Sequence, residues 1–216
     1  MKIKICGITT LEDGLACAEA GANLLGFNFY PPSPRYISPE ACAPIAVALR
    51  KRFPGLLLAG VFVNEPPASA RVVAELCGLD LIQCSGDETP GMLHQCGPKA
   101  FKALRPLTAN DLRAAAGMFP ARALPPAFLV DAHRPGEYGG TGLTADWSLA
   151  AELAARLPIL LAGGLTPENV AAAVRQVRPW GVDAASGVES APGRKDALKV
   201  AALIAAARAA EEETHA

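Results

Sequence analysis

The chain has 216 residues, 20 of them basic and 21 acidic, and a formal net charge of -1 at pH 7. It therefore lacks the surplus of Lys and Arg that nucleic-acid binding requires. No apolar run approaches the ~20 residues of a membrane span, and residues 1–8 lack the apolar core of a signal peptide, so we expect a cytoplasmic single domain with neither a nucleic-acid nor a membrane partner.

The predicted elements alternate between strand and helix along the whole chain. Apolar alternation predicts a strand over Lys2–Cys6, with its isoleucines facing helices and Cys6 facing the other side. A capping box of Thr9 and Glu12 predicts the start of the first helix, and Thr166 is expected to cap the seventh. The other predicted strands are 23–29, 56–63, 79–84, 99–104, 127–131, 159–162 and 181–185; the other helices are 39–52, 67–77, 89–96, 108–118, 147–156, one beginning at 167, and 195–210.

Eight strands and eight helices in alternation predict a parallel sheet. We expect a single-domain α/β fold, a (β/α)₈ TIM barrel, over residues 1–210, with residues 211–216 as a frayed tail. An open doubly wound sheet is the alternative, but its glycine-rich phosphate turn would follow the first strand, where this sequence has no G-x-G-x-x-G. The longest irregular segment, 132–144, contains four glycines that allow it to move or close.

Two glycine-bearing turns follow the last two predicted strands. Gly163 and Gly164 end the strand 159–162, and Ser186 and Gly187 follow the next strand. Free backbone N–H groups and the positive end of a helix dipole bind anions without lysine, and (β/α)₈ barrels commonly bind phosphate after strands seven and eight. We therefore expect these four residues to hold one phosphate. Ordinary turns that need glycine only for backbone geometry are the alternative.

Three further residues, at the ends of predicted strands or in the loop after one, are candidates for a catalytic or binding role. Cys6 ends the first strand and is either a reactive thiol or a small buried hydrophobic side chain. Asp131 ends the sixth strand, where a carboxylate serves as an acid or base or caps a loop. Arg35 lies in a proline-rich loop and either clamps a carboxylate or is solvated. The six cysteines form no C-x-x-C and the histidines are isolated, so we expect no metal and no disulfide framework.

Six motifs extend over nearly the whole sequence. They are Lys4–Thr9, Gly26–Tyr30 with Ser33–Ile37, Gly60–Asn64, Gly139–Gly142, Leu161–Leu165 and Ser186–Glu189. In this order the motifs resemble those of the phosphoribosylanthranilate isomerase family, and their number and spread make the resemblance specific.

The resemblance implies a rearrangement of tryptophan biosynthesis without a cofactor. N-(5-phosphoribosyl)anthranilate becomes 1-(2-carboxyphenylamino)-1-deoxyribulose 5-phosphate. By this resemblance Asp131 is the general acid that opens the furanose ring, Cys6 is the base that removes the C2 proton, and Arg35 binds the anthranilate carboxylate. The partner is a small phosphorylated substrate, and we expect a monomer or a weak homodimer.

Two other functions are weighed against this one. The sister barrel isomerase of histidine biosynthesis performs the same rearrangement, but its acid and base are aspartates, so Cys6 argues against it. A catalytically silent phosphate-ligand binding barrel is the other alternative. It gains support from one departure from the family pattern, Ser85 in place of a histidine, whereas Cys6, Asp131 and Arg35 argue against it. A second departure, Ala185 in place of a serine, removes one hydroxyl near the expected phosphate. Both departures bear on rate and fine affinity more than on the reaction.

Overall fold

The computed structural model describes residues 1–131 and 147–215. Eight parallel strands close into a barrel in chain order, with β8 paired to β1, and this confirms the predicted single-domain (β/α)₈ fold. The barrel strands are β1 (Lys2–Cys6), β2 (Leu24–Asn28), β3 (Leu57–Phe62), β4 (Leu81–Cys84), β5 (Ala100–Leu104), β6 (Phe128–Asp131), β7 (Ile159–Ala162) and β8 (Gly181–Ala184).

Eight helices surround the described part of the barrel. Several start as the sequence predicts: Ser38 and Thr89 accept hydrogen bonds from backbone N–H groups in the first turns of α2 and α4, and α5 begins with a capping box of Thr108 and Asp111. The helices are α1 (Leu11–Glu19), α2 (Pro39–Arg52), α3 (Pro67–Leu76), α4 (Pro90–Gln95), α5 (Ala109–Met118), α6 (Trp147–Ala154), α7 (Val170–Val177) and α8 (Ala197–His215).

Strand alternation divides the apolar core into two layers. Ile3 and Ile5 of β1 belong to the larger cluster between the strands and the helices. A smaller cluster fills the barrel interior with side chains such as Leu24, Phe101 and Leu160. Because the interior is packed below, a ligand has access only to the strand ends above it.

The first helix begins one residue later than predicted. Thr10, not Thr9, is its N-cap, and its hydroxyl accepts a hydrogen bond from Asp13 N–H at 3.2 Å. The Thr9 hydroxyl instead donates to the carbonyl of Gly193 at 2.7 Å. The capping-box prediction with Glu12 was therefore wrong, because a contact from the far end of the chain takes the Thr9 side chain.

The seventh helix also begins later than predicted, with Asn169 as its N-cap rather than Thr166. The Asn169 side chain accepts from Thr166 N–H at 2.8 Å and donates to the Gly164 carbonyl at 3.0 Å. These side-chain bonds satisfy the backbone of a turn over residues 167–169, and such bonds compete with helix formation.

The end of the chain differs from the prediction in two ways. A 3₁₀ helix (Ser186–Val188) and a short antiparallel hairpin, β9 (Glu189–Ala191) with β10 (Arg194–Lys195), precede α8. The predicted frayed tail is helical as far as His215. Glu211 pairs with the N-terminal amine and Glu213 with Arg175, so ion pairs hold this last turn against the barrel.

Two expectations concern other parts of the chain. The glycine-rich segment 132–144, including the motif Gly139–Gly142, lies outside the described residues. Among the helices that are described, none combines the length and the apolar character needed to cross a membrane.

Candidate active site

A cavity of about 300 Å³ opens at the carboxyl end of the barrel strands. It is lined from both sides by residues predicted from the sequence: Cys6, Asp131, Gly163, Gly164, Ser186 and Gly187. A larger cleft of about 530 Å³ lies at the other end of the barrel, near Met1, Pro158 and Trp180, and none of these predicted residues lines it. The described structure therefore gathers six of the seven predicted site residues around one cavity.

Cys6 is the last residue of β1, and its half-buried thiol faces the barrel interior. A Cβ atom built on Gly26 of β2 would lie 2.7 Å from Cys6 Sγ, so only glycine leaves room for the thiol. Burial raises the pKa of the Cys6 thiol, and the charges of Lys4 and Lys195 act against that shift. The ionisation of this thiol therefore depends on nearby cations.

A buried ion pair lies beside the thiol. Lys4 Nζ donates to Asp183 Oδ2 at 2.9 Å, and both side chains are buried inside the barrel. The pair forms because β8 closes the barrel on β1 with Asp183 in register with Lys4. Asp183 Oδ1 is buried without a hydrogen-bond partner in the described structure, and Asp183 borders the cavity.

Asp131 is the last residue of β6, where it pairs in register with Ala162 of β7. Its side chain is partly buried and lines the cavity. Its charge acts on Asp183, so the two carboxylates share one electrostatic environment. The position fits either proton transfer or charge stabilisation at the cavity wall.

The two glycine turns meet each other directly. A Cβ atom on Gly187 would lie 2.0 Å from the carbonyl oxygen of Leu165, so the second turn packs against the first through bare backbone. Gly163 and Gly164 have φ values of 106° and 65°, which favour glycine. Among the described residues, a Cβ on Gly164 would meet no atom within 4 Å other than those of its chain neighbours. The backbone at Gly164 is therefore open to a ligand in the cavity.

Arg35 is the one predicted site residue that does not line this cavity within the described structure. Its Nε and Nη2 groups donate to the two carboxylate oxygens of Glu189 at 2.8 and 2.7 Å. A Cβ on Gly7 would lie 2.6 Å from Arg35 Cδ, so the arginine stem packs against the backbone of Gly7, the residue that follows Cys6. The guanidinium is thus held near the site by a carboxylate of the chain itself.

Glu189 connects three segments around the cavity rim. It accepts from Arg35 of the loop after β2 and from Lys195 Nζ of β10 at 2.8 Å. Burial favours its neutral form, but the hydrogen bonds from Arg35 and Lys195 outweigh this and hold the pKa of Glu189 below its ordinary value. A guanidinium has five N–H donors, so those that Glu189 does not bind remain able to take a second carboxylate.

Two polar side chains of β4 and its loop also reach the cavity. Gln83 Nε2 donates to Ser85 Oγ at 3.1 Å, whereas Gln83 Oε1 is buried without a hydrogen-bond partner in the described structure. Ser85, which stands in place of the histidine expected from the resemblance, is therefore hydrogen-bonded within the protein. Arg105, which follows the last residue of β5, also lines the cavity and is exposed.

Sequence reasoning missed Lys4, Asp183 and Glu189. Lys4 is two residues before Cys6 and therefore lies on the same face of β1, which the sequence alone could have shown. Its pairing with Asp183 depends on the register in which β8 closes on β1. In the described residues, no group of three or more His, Cys, Asp or Glu side chains is placed to hold a metal ion.

A family model and similar proteins carry the same family description. A family model for N-(5'phosphoribosyl)anthranilate (PRA) isomerase matches residues 3–206. The N-(5'-phosphoribosyl)anthranilate isomerase of Pelobacter propionicus is 44% identical over 99% of both chains. That of Trichlorobacter lovleyi is 48% identical, over 97% of this chain and 99% of the relative.

Solved structures agree with these sequence matches. The crystal structure of phosphoribosyl anthranilate isomerase from Thermotoga maritima is 40% identical and superposes with a TM-score of 0.86, covering 97% of this chain and 99% of that one. Another phosphoribosyl anthranilate isomerase structure, in complex with reduced 1-(o-carboxyphenylamino)-1-deoxyribulose 5-phosphate, is 37% identical with a TM-score of 0.83 and the same coverage.

Proposed function

The chain belongs to the N-(5'-phosphoribosyl)anthranilate isomerase family and is an aldose–ketose isomerase of tryptophan biosynthesis, and we propose that Cys6 and Asp131 carry its proton transfers. The observation that supports this assignment most is the single cavity lined by the thiol, the carboxylate and both glycine turns. A phosphate held at the turns would place the sugar between the β1 and β6 strand ends.

The proposed reaction begins at the sugar ring. Asp131 donates a proton to the furanose oxygen as the bond from that oxygen to C1 breaks, and the substrate nitrogen forms a protonated Schiff base with C1. The Schiff base withdraws electrons from C2, so the Cys6 thiolate can remove the C2 proton. The resulting enolamine rearranges to the aminoketose, and no cofactor takes part.

Binding groups complete the proposal. Gly163, Gly164, Ser186 and Gly187 donate backbone N–H groups to the 5-phosphate. Arg35 donates its remaining N–H groups to the anthranilate carboxylate. The product analogue bound in a related structure carries both anions, which supports two separate anion sites.

Two coarser expectations go with this assignment. The six cysteines are free thiols, which supports a cytoplasmic location. We expect a monomer or a weak homodimer, which light scattering of the purified protein would measure.

The test is turnover of freshly prepared phosphoribosylanthranilate, followed by the loss of anthranilate-type fluorescence. Cys6→Ala and Asp131→Asn are expected to lose about 10²- to 10⁴-fold in kcat, because each lacks one proton-transfer group. Both are expected to keep their affinity for the reduced product analogue. Cys17→Ala is the matched control, since Cys17 is buried in the outer core and should affect stability alone. Normal turnover by Cys6→Ala would remove the thiol from the mechanism.

A further inference from the structure

Lys4 is fully buried outside the cavity that a substrate would occupy, yet its ammonium lies beside the same glycine as the Cys6 thiol. We propose that Lys4, held in place by Asp183, is a positioning residue that stabilises the Cys6 thiolate during proton abstraction. The proposal rests on Cys6 being the base, as proposed above.

The first observation is the contact between the two side chains. Lys4 and Cys6 are on the same face of β1, two residues apart. A Cβ on Gly26 would lie 2.7 Å from Cys6 Sγ and 3.2 Å from Lys4 Nζ, so the sulfur and the ammonium meet over the same bare stretch of β2 backbone. Glycine on the neighbouring strand is what allows both atoms to occupy this space.

The second observation is the incomplete bonding of the ammonium. Lys4 is fully buried, and within the described structure it donates one hydrogen bond, to Asp183 Oδ2 at 2.9 Å. An ammonium has three N–H donors, and leaving donors unbonded in a protein interior is costly. A thiolate at Cys6 would supply the missing acceptor.

The third observation is the charge around the thiol. The charged groups that face it are Lys4 on β1, Asp183 on β8, Lys195 on β10 and Arg35 after β2, while Glu189 binds the last two. Asp131 on β6 acts on Asp183. Cations on β1, on β10 and in the loop after β2 therefore surround the position where a thiolate would form.

The three cations are not equivalent. Arg35 and Lys195 share the carboxylate of Glu189, whereas Lys4 pairs with Asp183 and lies beside Cys6 on the same strand face. Burial lowers the pKa of Lys4, but the charge of Asp183 and the proximity of Cys6 outweigh this and raise it, so the ammonium stays charged. After burial, which raises the pKa of Cys6, the charge of Lys4 is the largest influence on that thiol. Among the three cations, Lys4 is therefore the one with the largest effect on the ionisation of Cys6.

The test measures the reactivity of the thiol directly, apart from turnover. Iodoacetamide labelling of the full-length protein, followed between pH 6 and 11.5, reports the ionisation of Cys6. The other five cysteines are buried, and burial raises their pKa values, that of Cys17 to about 12. Labelling that is absent in Cys6→Ala identifies the signal as Cys6.

In Lys4→Met we expect the labelling midpoint to move at least one pH unit upward, which slows labelling near neutral pH about tenfold. The acidic limb of the kcat profile should move in the same direction, because the base is ionised only at higher pH. KM and the affinity for the reduced product analogue should stay unchanged, since Lys4 does not line the cavity.

Lys102→Met is the matched control, because Lys102 is also buried and also paired, with Glu88 at 2.8 Å, but faces away from Cys6. It should leave the labelling midpoint unchanged. If Lys4→Met does not fold, Lys4→Met/Asp183→Asn removes both charges and should still raise the midpoint, because Lys4 acts on the thiol more strongly than Asp183 does.

An unchanged labelling midpoint in the folded Lys4 variant, single or double, would overturn the proposal for Lys4. That outcome is distinct from failure of the base assignment, which Cys6→Ala turnover decides. A midpoint that moves equally in Lys102→Met would also overturn the proposal, because the effect would then not be local to Cys6.

Discussion

The two sides of the cavity present different kinds of atoms to a ligand. The backbone side consists of Gly163, Gly164, Ser186 and Gly187, and no Lys or Arg lines the described cavity at these turns. On the charged side, Cys6 and Asp183 line the cavity, while the cations Lys4, Arg35 and Lys195 lie outside its described lining. Lys4 pairs with Asp183 at 2.9 Å, and Arg35 and Lys195 pair with Glu189 at 2.7 and 2.8 Å.

This difference allows phosphate binding and proton transfer to use different groups, whereas a single cluster of cations would serve both. Backbone N–H groups do not titrate, so their attraction for an anion does not depend on the protonation of the site. With the phosphate on the backbone side, the cations of the charged side remain free to act on the thiol and on the substrate carboxylate. In the proposed site, the groups that bind the phosphate are therefore separate from the groups that transfer protons.

The largest effect is expected where the backbone side also supports the fold. In Gly187→Ala the new Cβ would lie 2.0 Å from the carbonyl oxygen of Leu165, so the two turns must move apart. We expect unfolding free energy to fall by about 3 kcal/mol and analogue binding to be lost, as measured by urea denaturation and calorimetry. Gly117→Ala is the control: it lies in α5 with open space around it and should stabilise the protein. Wild-type stability in Gly187→Ala would show that the turns adapt.

A smaller effect on ligand binding is expected from the substitution of Arg35. Arg35→Met removes the guanidinium that we propose binds the substrate carboxylate. Hydrogen bonds to charged groups are strong enough that their loss should weaken analogue binding about 10- to 100-fold. Calorimetry with the reduced product analogue, and with the same compound lacking its carboxylate, measures the difference. Arg113→Met is the control, since Arg113 is exposed and paired with the exposed Glu152. Equal losses for both compounds would contradict the proposed role of Arg35.

The barrel could be predicted from the sequence because each of its strands carries its own apolar pattern. The boundaries that were wrong depend on contacts made elsewhere in the fold. Thr9 and Thr10 both fit an N-cap, and only the distant Gly193 carbonyl decides between them. Thr166 loses its predicted role to the side chain of Asn169, which satisfies the turn instead.

The site could be predicted in part for the same reason. Cys6 and Asp131 are visible as polar residues at the ends of apolar strands. Glu189 binds an arginine 154 positions away in the sequence, and no local pattern indicates that pairing. The partner of Lys4 depends on the register with which β8 closes on β1, which strand composition alone does not determine.

The smallest effect, and the sharpest test of the backbone side, is expected at Gly164. With φ at 65°, alanine there should cost about 1 kcal/mol of stability, seen as a lower melting temperature. Among the described residues, a Cβ at this position meets no atom within 4 Å other than those of its chain neighbours, so we expect any further effect to come from what enters the cavity. If phosphate approaches this backbone, Gly164→Ala weakens binding of the reduced product analogue and of inorganic phosphate several-fold, while Cys6 labelling stays normal. If glycine serves only the turn, calorimetry on the folded protein gives an unchanged dissociation constant, and Gly164 is then no part of the phosphate site.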